Sequence, residues 1–285
     1  MDNCVSSVNT EEELRNFINK LTEIMVKGKF DLRCWEHTKI YNDEDKDKAE
    51  VTKVLVLLWD KREDSLFCDV PKMKMNDMTI SRRTVLSITQ RIVDPIGLNC
   101  PVTLIPKLIL QRILQEKVSW DTELTEGLKK EFLVWLEDLP LLSSVRIPRQ
   151  AATVNKIACS LHVFADASRN WYATVIFLRS ESHDEIKVQL LQAKSRVSPL
   201  RKITILRLKL LACYFGAKLS EFVTKSLTLE INETYYWTDS TTALFWIKKK
   251  DLPWGTFVCN RVKKIRECSD PKNWRHVPGI IYPAI

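Results

Sequence analysis

The sequence has few glycines, no closely paired cysteines and no long apolar segment. Only six of its 285 residues are glycine, and they form neither a G-x-G-x-x-G nor a G-x-x-x-x-G-K-[ST] loop. This excludes nucleotide chemistry of the Rossmann or P-loop kind. The eight cysteines never occur as C-x-x-C, so they are interpreted as reduced thiols rather than as disulfides or a zinc site. No apolar run approaches the roughly 18 residues that would cross a bilayer.

The start of the chain and its composition predict a globular protein inside the cell. The first residues, MDNCVSSVNTEEELRN, lack the basic leader and apolar stretch of a secretory signal. The chain is therefore expected to be intracellular, in the cytoplasm or the nucleus, and neither secreted nor membrane-bound. With 45% hydrophobic and 28% charged residues, its composition is that of an ordinary globular protein, and its length suits about two domains.

The basic excess lies wholly in the second half. Residues 1–150 carry 23 Lys and Arg against 25 Asp and Glu, a net charge of −2, whereas residues 151–285 carry 21 against 11, a net charge of +10. Such an excess suits a polyanionic partner such as nucleic acid. An ordinary solvated basic surface explains it equally well, so charge alone leaves both interpretations open.

The first half alternates helical and strand patterns. A capping box at Thr10 and Glu13 opens an amphipathic helix that Gly28 ends. Further strands are predicted at 30–35 and 51–60 and helices at 81–92, 105–115 and 124–139, with a polar loop at 41–50. Prolines 140 and 148 place a domain boundary between Arg149 and Asn155, so residues 1–150 and 155–285 are expected to form two domains.

The second half predicts an α/β (α+β) fold with a mixed sheet. Strands are expected at 161–167, 171–179, 187–194, 234–239 and 274–277, and helices at 205–223, 241–248 and 255–268. The first three strands follow one another through short loops, which favours an antiparallel arrangement. The later alternation of helix and strand predicts helices on the faces of the sheet.

Two aspartates are the candidate chemical residues. Asp166 lies in an otherwise apolar strand, and Asp239 ends another. An ionised carboxylate is costly in such a place unless it is paired, hydrated or bound to a cation, and two on adjacent strands would suit Mg²⁺. Alternatively, each caps a turn or the following helix. Spacing alone favours the capping interpretation.

The second half resembles the ribonuclease H domain of the Pol polyprotein of BEL/Pao retrotransposons. The resemblance rests on LHVFADASRNWYATVIFL, LLQAKSRVSPLRKITILRLKLLA, YYWTDSTTALFWIK, FVCNRVKKIRE and WRHVPGIIYPA, which follow the family's order over nearly all of residues 155–285. The first half resembles the end of the same polyprotein's reverse transcriptase, namely the end of the palm, the thumb and the connection. The segments that carry this are KGKFDLRCW, VLLWD, SRRTVLSITQRIVDPIGLNCPVTLIPKLILQ, VSWD and IPR. Asp2 and Asn3 resemble the end of the polymerase's Tyr-x-Asp-Asp hairpin.

The resemblance implies a two-metal nuclease site with only half of its ligands. In the family, four carboxylates hold two divalent ions that cleave the RNA strand of a hybrid duplex. Asp166 matches the first carboxylate and Asp239 the third, whereas Lys209 stands at the second position and Ile285 at the fourth. An ammonium in place of a carboxylate changes the site by two charges. The sequence therefore predicts that hydrolysis is lost and that no cofactor is bound. If any activity survives, the expected cofactor is Mg²⁺.

Nucleic-acid binding is expected to be retained although hydrolysis is lost. The candidate phosphate-binding residues are Lys248, Lys249, Lys250, Arg261, Lys263, Lys264 and Arg266. Tryptophans 171, 237, 246, 254 and 274 accompany them, and basic residues with aromatics are typical of nucleic-acid surfaces. Most of these tryptophans lie on apolar patterns, however, and are interpreted as core residues.

Three functions follow from these observations. The favoured one is a remnant or co-opted piece of BEL/Pao Pol that binds nucleic acid and is inactive as polymerase and as nuclease. The enzymatic alternative is an active hybrid nuclease that uses a substitute carboxylate, for example Glu221 or Asp251. The third is a non-enzymatic interaction module that uses only the fold.

Overall fold

The described residues form two sheets, each packed with helices. The computed structural model describes residues 6–8, 10–32, 35–38, 51–70, 79–152, 157–249 and 254–281. The first part contains α1 (Glu11–Lys27), β1 (Val51–Val54), β2 (Leu57–Asp60), β3 (Ser65–Cys68), α2 (Arg82–Gln90), α3 (Cys100–Gln115), α4 (Glu126–Asp138) and β4 (Arg146–Pro148). The second contains β5 (Ala158–Ala167), β6 (Trp171–Glu181), β7 (Ile186–Val197), α5 (Ile205–Ser226), β8 (Glu233–Thr238), α6 (Thr241–Lys248), α7 (Thr256–Cys268) and β9 (Trp274–His276). Among these residues, no helix is long and apolar enough to cross a membrane.

The first sheet is small and antiparallel, in the order β1-β2-β3-β4. Its core continues into α2, α3 and α4, where Val85, Ile109, Ile113 and Phe132 are fully buried. β4 follows the helices in the sequence and pairs with β3. The strands that precede and follow the helical segment therefore belong to one sheet. The predicted boundary between the two parts lies between β4 and β5, and the division into two domains stays a prediction.

The tip of the β1–β2 hairpin is strained. Leu55 and Val56 both have positive φ angles, 48° and 72°, and both side chains are more than half exposed, at 58% and 56%. A left-handed conformation costs a non-glycine residue roughly 1–2 kcal/mol, and a β-branched residue is especially unsuited to it.

Replacing Val56 with glycine is therefore expected to stabilise the protein. The substitution removes the steric strain at the tip, and we expect the melting temperature to rise by about 2 to 4 °C in differential scanning calorimetry. Val51→Gly is the matched control, because Val51 is an exposed residue of β1 without a positive φ angle. There glycine lowers stability through backbone entropy. Equal destabilisation by both variants would show that the tip is not strained.

The second sheet is mixed, in the order β7-β6-β5-β8-β9. β5, β6 and β7 are antiparallel, as the sequence predicts. β8 is parallel to β5, and β9 is parallel to β8. The crossover from β7 through α5 to β8 makes this change of direction possible. The predicted mixed sheet is confirmed.

Helix α5 packs closely on one face of this sheet. Ala212 and Cys213 are fully buried, and a Cβ atom on Gly216 would lie 3.0 Å from Oγ1 of Thr174 and 3.2 Å from Cγ1 of Val163. The small residues thus let the helix backbone approach the strands. This packing determines the position of Lys209, which lies one helical turn before Cys213.

Several predicted elements differ from the structure. No strand forms at residues 30–32 or at Trp35, the described part of the predicted strand 30–35. The predicted strand 51–60 is two strands, because the chain reverses at the hairpin tip. α3 begins at Cys100 rather than at residue 105, with Pro101 in its first turn, where the missing N–H costs nothing. The predicted loop 41–50 and the residues Asp2 and Asn3 lie outside the described residues.

Candidate active site and nucleic-acid surface

The pairing of β5 with β8 places the two candidate aspartates side by side. Phe164 is paired with Trp237 in the parallel register, and Asp166 and Asp239 each follow two residues later. The carboxyl ends of parallel strands meet at the same edge of a sheet. The capping interpretation fails for Asp239, since Ser240 is the N-cap of α6 and its hydroxyl accepts from the amide of Ala243 at 3.2 Å.

Lys209 lies between the two carboxylates. Its Nζ donates to Oδ1 of Asp239 at 2.5 Å and also contacts Oδ2 of the same residue. The same nitrogen is 3.1 Å from Oδ1 of Asp166. The three side chains are 17%, 23% and 27% exposed for Lys209, Asp239 and Asp166 respectively. One ammonium therefore bridges both strands from α5 in a partly buried position.

The surroundings favour the charged form of the lysine. Burial by itself lowers the pKa of Lys209, but hydrogen bonds to Asp239 and Asp166 and the charges of both outweigh it, so the pKa is raised above 10.5. Beneath the site, burial raises the pKa of the Cys213 thiol to about 12. Cys213 is therefore a neutral thiol, and it adds no negative charge to the site.

Each of the two aspartates takes part in one further contact that involves the backbone. The amide of Ala167 donates to Oδ1 of Asp166 at 2.7 Å. On the other strand, Nε2 of His276 lies 3.2 Å from the backbone oxygen of Asp239. Sequence reasoning gave His276 no role. His276 is the last residue of β9, and the parallel pairing of β8 and β9 aligns it with Thr238, the residue before Asp239.

The residues present do not fit a pair of divalent metal ions. Two carboxylates and one ammonium give the site a net charge of −1, against −4 for four carboxylates, and the ammonium occupies the space between the acids. Among the residues that the structure describes, no group of three or more His, Cys, Asp or Glu could hold a metal ion. Two metal ions need several anionic ligands to offset their charge, so we derive no metal-dependent step for this arrangement.

The suggested substitute carboxylates do not supply a ligand among the described residues. Glu221 is twelve residues beyond Lys209 on α5, about 18 Å along the helix axis at 1.5 Å per residue. It forms an ion pair with Lys225 at 2.7 Å instead. The other suggestion, Asp251, and the family's fourth position at Ile285 both lie outside the described residues.

Six of the seven predicted phosphate-binding residues lie among the described residues. Lys248 and Lys249 end α6, and Lys263 and Lys264 lie on α7; all four are exposed. Arg261 is also on α7 and is half-buried, with its guanidinium 4.2 Å from the ring centroid of Phe257. Lys250 lies outside the described residues. We name the exposed lysines of α6 and α7, with Arg261, the α6–α7 basic surface.

Arg266 has a structural role that the sequence does not reveal. Its Nε donates to the carbonyl of Ile247 at 3.0 Å, and its Nη2 donates to that of Lys249 at 2.6 Å. These carbonyls belong to the end of α6, where helical partners are missing. Arg266 thus joins α7 to α6, and its contact with phosphate stays a prediction.

The tryptophans mostly serve packing. Trp274 is fully buried and stacks on Tyr236 with ring centroids 4.8 Å apart. Trp246 and Trp254 are half-buried and contact each other edge to face at 6.2 Å. Trp254 also lines a cleft of about 410 Å³ beside Lys249 and Lys263. Trp254 thus lies beside the α6–α7 basic surface.

The strand order, the position of α5 and the two aspartates at the ends of β5 and β8 define a ribonuclease H-like fold. Within this class, the model of the Pao retrotransposon-like RNaseH-like domain matches residues 81–240, more than half of the chain. The chain belongs to this family. The match begins at Ser81 and therefore includes α2, α3 and α4 of the first part as well as α5 and the four strands β5 to β8 of the second sheet.

Solved structures resemble the chain at low identity. RNase H1 from Halobacterium salinarum NRC-1 is 15% identical, with a TM-score of 0.29. The alignment covers 42% of this chain and 87% of the RNase H1 chain. The LC11-RNase H1 in complex with an RNA/DNA hybrid is 12% identical, with a TM-score of 0.28. Its alignment covers 44% of this chain and 88% of the LC11-RNase H1 chain. The foamy viral protease-reverse transcriptase in complex with dsDNA is 11% identical and covers 98% and 53%, with a TM-score of 0.46. The chain thus spans about half the length of the foamy viral protein. None of the curated proteins matches.

Proposed function

We propose that the chain is a piece of a BEL/Pao Pol polyprotein that binds nucleic acid and does not hydrolyse it. In this proposal, residues 1–150 correspond to the end of the reverse transcriptase, and residues 155–285 to the ribonuclease H-like domain. The family membership supports the retrotransposon origin. The loss of hydrolysis rests on one observation, the contact of Lys209 with both Asp166 and Asp239.

The bridging ammonium acts against catalysis in two ways. It replaces a negative ligand by a positive charge, and it occupies the space between the carboxylates. At a few ångströms, a unit charge contributes roughly 1 to 4 kcal/mol depending on the effective dielectric constant. A divalent ion would therefore have to displace a partly buried ion pair in order to bind. The remaining carboxylates hold the lysine rather than a metal.

A cleavage assay tests the proposed inactivity. The full chain is incubated with an RNA–DNA hybrid in the presence of Mg²⁺ or Mn²⁺, and the products are resolved on a denaturing gel. We expect no metal-dependent cleavage above that of the Asp166→Asn variant, because the second ligand is a lysine. Cleavage that depends on metal and disappears in Asp166→Asn would overturn the proposal and favour the active-nuclease alternative.

The α6–α7 basic surface is the proposed contact for the phosphate backbone. Lys263 and Lys264 are exposed neighbours on α7, and Lys248 and Lys249 lie at the end of the adjoining α6. Lys249 and Lys263 line the same cleft as Trp254, so each helix presents a lysine to that cleft. Lysines at such a surface neutralise phosphates and release counterions, so the affinity falls as salt rises.

Removing two of these lysines is expected to weaken binding and flatten its salt dependence. For Lys263→Ala with Lys264→Ala, the slope of log affinity against log salt should decrease by about 2, at about 0.9 per lost phosphate contact. Fluorescence anisotropy with a labelled duplex or hybrid measures this slope. The matched control is Lys218→Ala with Lys225→Ala, which removes the same charge from exposed positions of α5. Equal slopes for both double variants would contradict a localised contact.

A further inference from the structure

The outer edge of β7 is covered by segments from the first part of the chain. β7 is the end strand of the five-stranded sheet, and its other edge is paired with β6. Five residues of β7 form hydrogen bonds to residues 95–100 or 148–150, and residue 111 is bonded to the chain just beyond the end of the strand. We call this contact the β7 seam. An uncovered edge strand offers backbone groups to another chain, so the cover has a consequence for assembly.

A backbone hydrogen bond lies at the centre of the seam. The amide of Ala193 donates to the carbonyl of Ile96 at 2.7 Å. The next residue, Gly97, has a φ of +87°, and a Cβ atom there would lie only 1.8 Å from the backbone oxygen of Ala193. Only glycine permits both this conformation and this approach. Gly97 is therefore the residue on which the seam depends most strongly.

The loop that carries Gly97 is held in shape by Asp94. One carboxylate oxygen accepts from the amide of Gly97 at 2.9 Å, and the other accepts from that of Asn99 at 2.7 Å. α3 starts directly afterwards at Cys100, whose carbonyl accepts from the hydroxyl of Ser195 at 3.4 Å. The loop and the first turn of α3 thus form a preorganised surface against the strand.

Side-chain hydrogen bonds extend the seam to both ends of β7. Near its start, Nζ of Lys187 donates to the carbonyl of Gln150 at 2.8 Å, and Nε2 of Gln189 donates to that of Pro148 at 3.0 Å. Gln192 donates to the carbonyl of Pro95 at 2.8 Å. Just beyond the end of the strand, Gln111 of α3 donates to the carbonyl of Ser198. The contacts come from two separate segments of the first part, one near the start of the strand and one along its second half.

We propose that the β7 seam is a built-in cover that keeps the ribonuclease H-like sheet from pairing with a second copy of the chain. The inference is independent of whether the domain binds nucleic acid. When the cover is released, β7 is free to pair with β7 of another molecule.

Gly97→Val in the full chain tests this proposal. We expect the amide of Ala193 to exchange hydrogen for deuterium at least tenfold faster, and sedimentation velocity to show a dimer that increases with protein concentration. Gly127→Val is the matched control, because a Cβ at Gly127 would meet nothing within 4 Å. It should leave both readouts unchanged. Unchanged exchange at Ala193 in Gly97→Val would overturn the seam, and faster exchange without a dimer would overturn the proposed partner.

A second variant, which removes hydrogen bonds of the seam without adding bulk, tests the proposal if Gly97→Val fails to fold. Gln111→Ala with Gln192→Ala removes two side-chain hydrogen bonds of the seam and introduces no steric clash. We expect about tenfold faster exchange at Ala193 and a detectable dimer at high protein concentration. A monomer with wild-type exchange at every concentration would overturn the proposal.

Discussion

Replacing Lys209 with glutamate is expected to give the protein a binding site for divalent cations. The substitution changes the net charge of the site from −1 to −3 and removes the ammonium that lies between Asp166 and Asp239. Three carboxylates on neighbouring elements suit a hard cation. We expect Mn²⁺ to bind at least about tenfold more tightly than to the wild type, a difference of about 1.4 kcal/mol.

Two readouts measure this gain. Titration with Mn²⁺ followed by electron paramagnetic resonance gives the affinity directly. Thermal unfolding gives a second measure, since a ligand that binds only the folded state raises the melting temperature. Without metal, the variant should melt below the wild type because three carboxylates repel one another. With Mn²⁺, its melting temperature should rise whereas that of the wild type stays constant.

A charge-matched variant separates the site from a general charge effect. Lys218→Glu makes the same change of charge on the same helix, at an exposed position. It should leave Mn²⁺ affinity at the wild-type level. If the wild type already binds Mn²⁺ as tightly as Lys209→Glu does, the lysine does not exclude cations and the proposed reason for inactivity is wrong.

Removing the ammonium of Lys209 is expected to cost substantial stability. Lys209→Met retains most of the side chain's length but leaves Asp166 and Asp239 facing each other without a cation. Breaking a buried pair costs about 3 to 5 kcal/mol, and the partial exposure of this site lowers the expected loss to about 1 to 3 kcal/mol. Urea unfolding monitored by circular dichroism measures the free energy of unfolding.

A double-mutant cycle assigns the loss to the ion pair. Lys209→Met, Asp239→Asn and the double variant should give a coupling energy of about 1 to 2 kcal/mol. The comparison pair is Lys225 with Glu221, four residues apart on α5 and much more exposed. Its coupling should be clearly smaller, because solvent screens it. Equal coupling in the two cycles would mean that the contact of Lys209 is an ordinary surface ion pair.

The sequence was sufficient to predict the mixed sheet. Apolar runs predict β5 and β6, and the short loops between β5, β6 and β7 predict their antiparallel pairing. The resemblance placed Asp166, Lys209 and Asp239 at related positions of a family site, and the structure brings all three into contact. What this contact means for activity depends on charge and distance, so it stays a proposal for experiment.

Features that depend on long-range contact escaped prediction. Gly97 is a single glycine in a loop, and nothing near it in the sequence shows that Ala193 lies against it. Arg266 belongs to a basic run, and only the tertiary packing of α7 on α6 directs its guanidinium to helix carbonyls. The hairpin tip was missed for another reason. Leu55 and Val56 are residues typical of strands, so local propensity opposes the turn that the chain makes there.

The most direct test of the central claim is the location of Mn²⁺ in crystals of the wild-type chain. The anomalous signal of manganese identifies bound ions between the ends of β5 and β8. We expect no manganese there, and we expect electron density for the Lys209 ammonium in contact with both carboxylates. Two manganese ions held between Asp166 and Asp239, with the lysine turned away, would contradict the account.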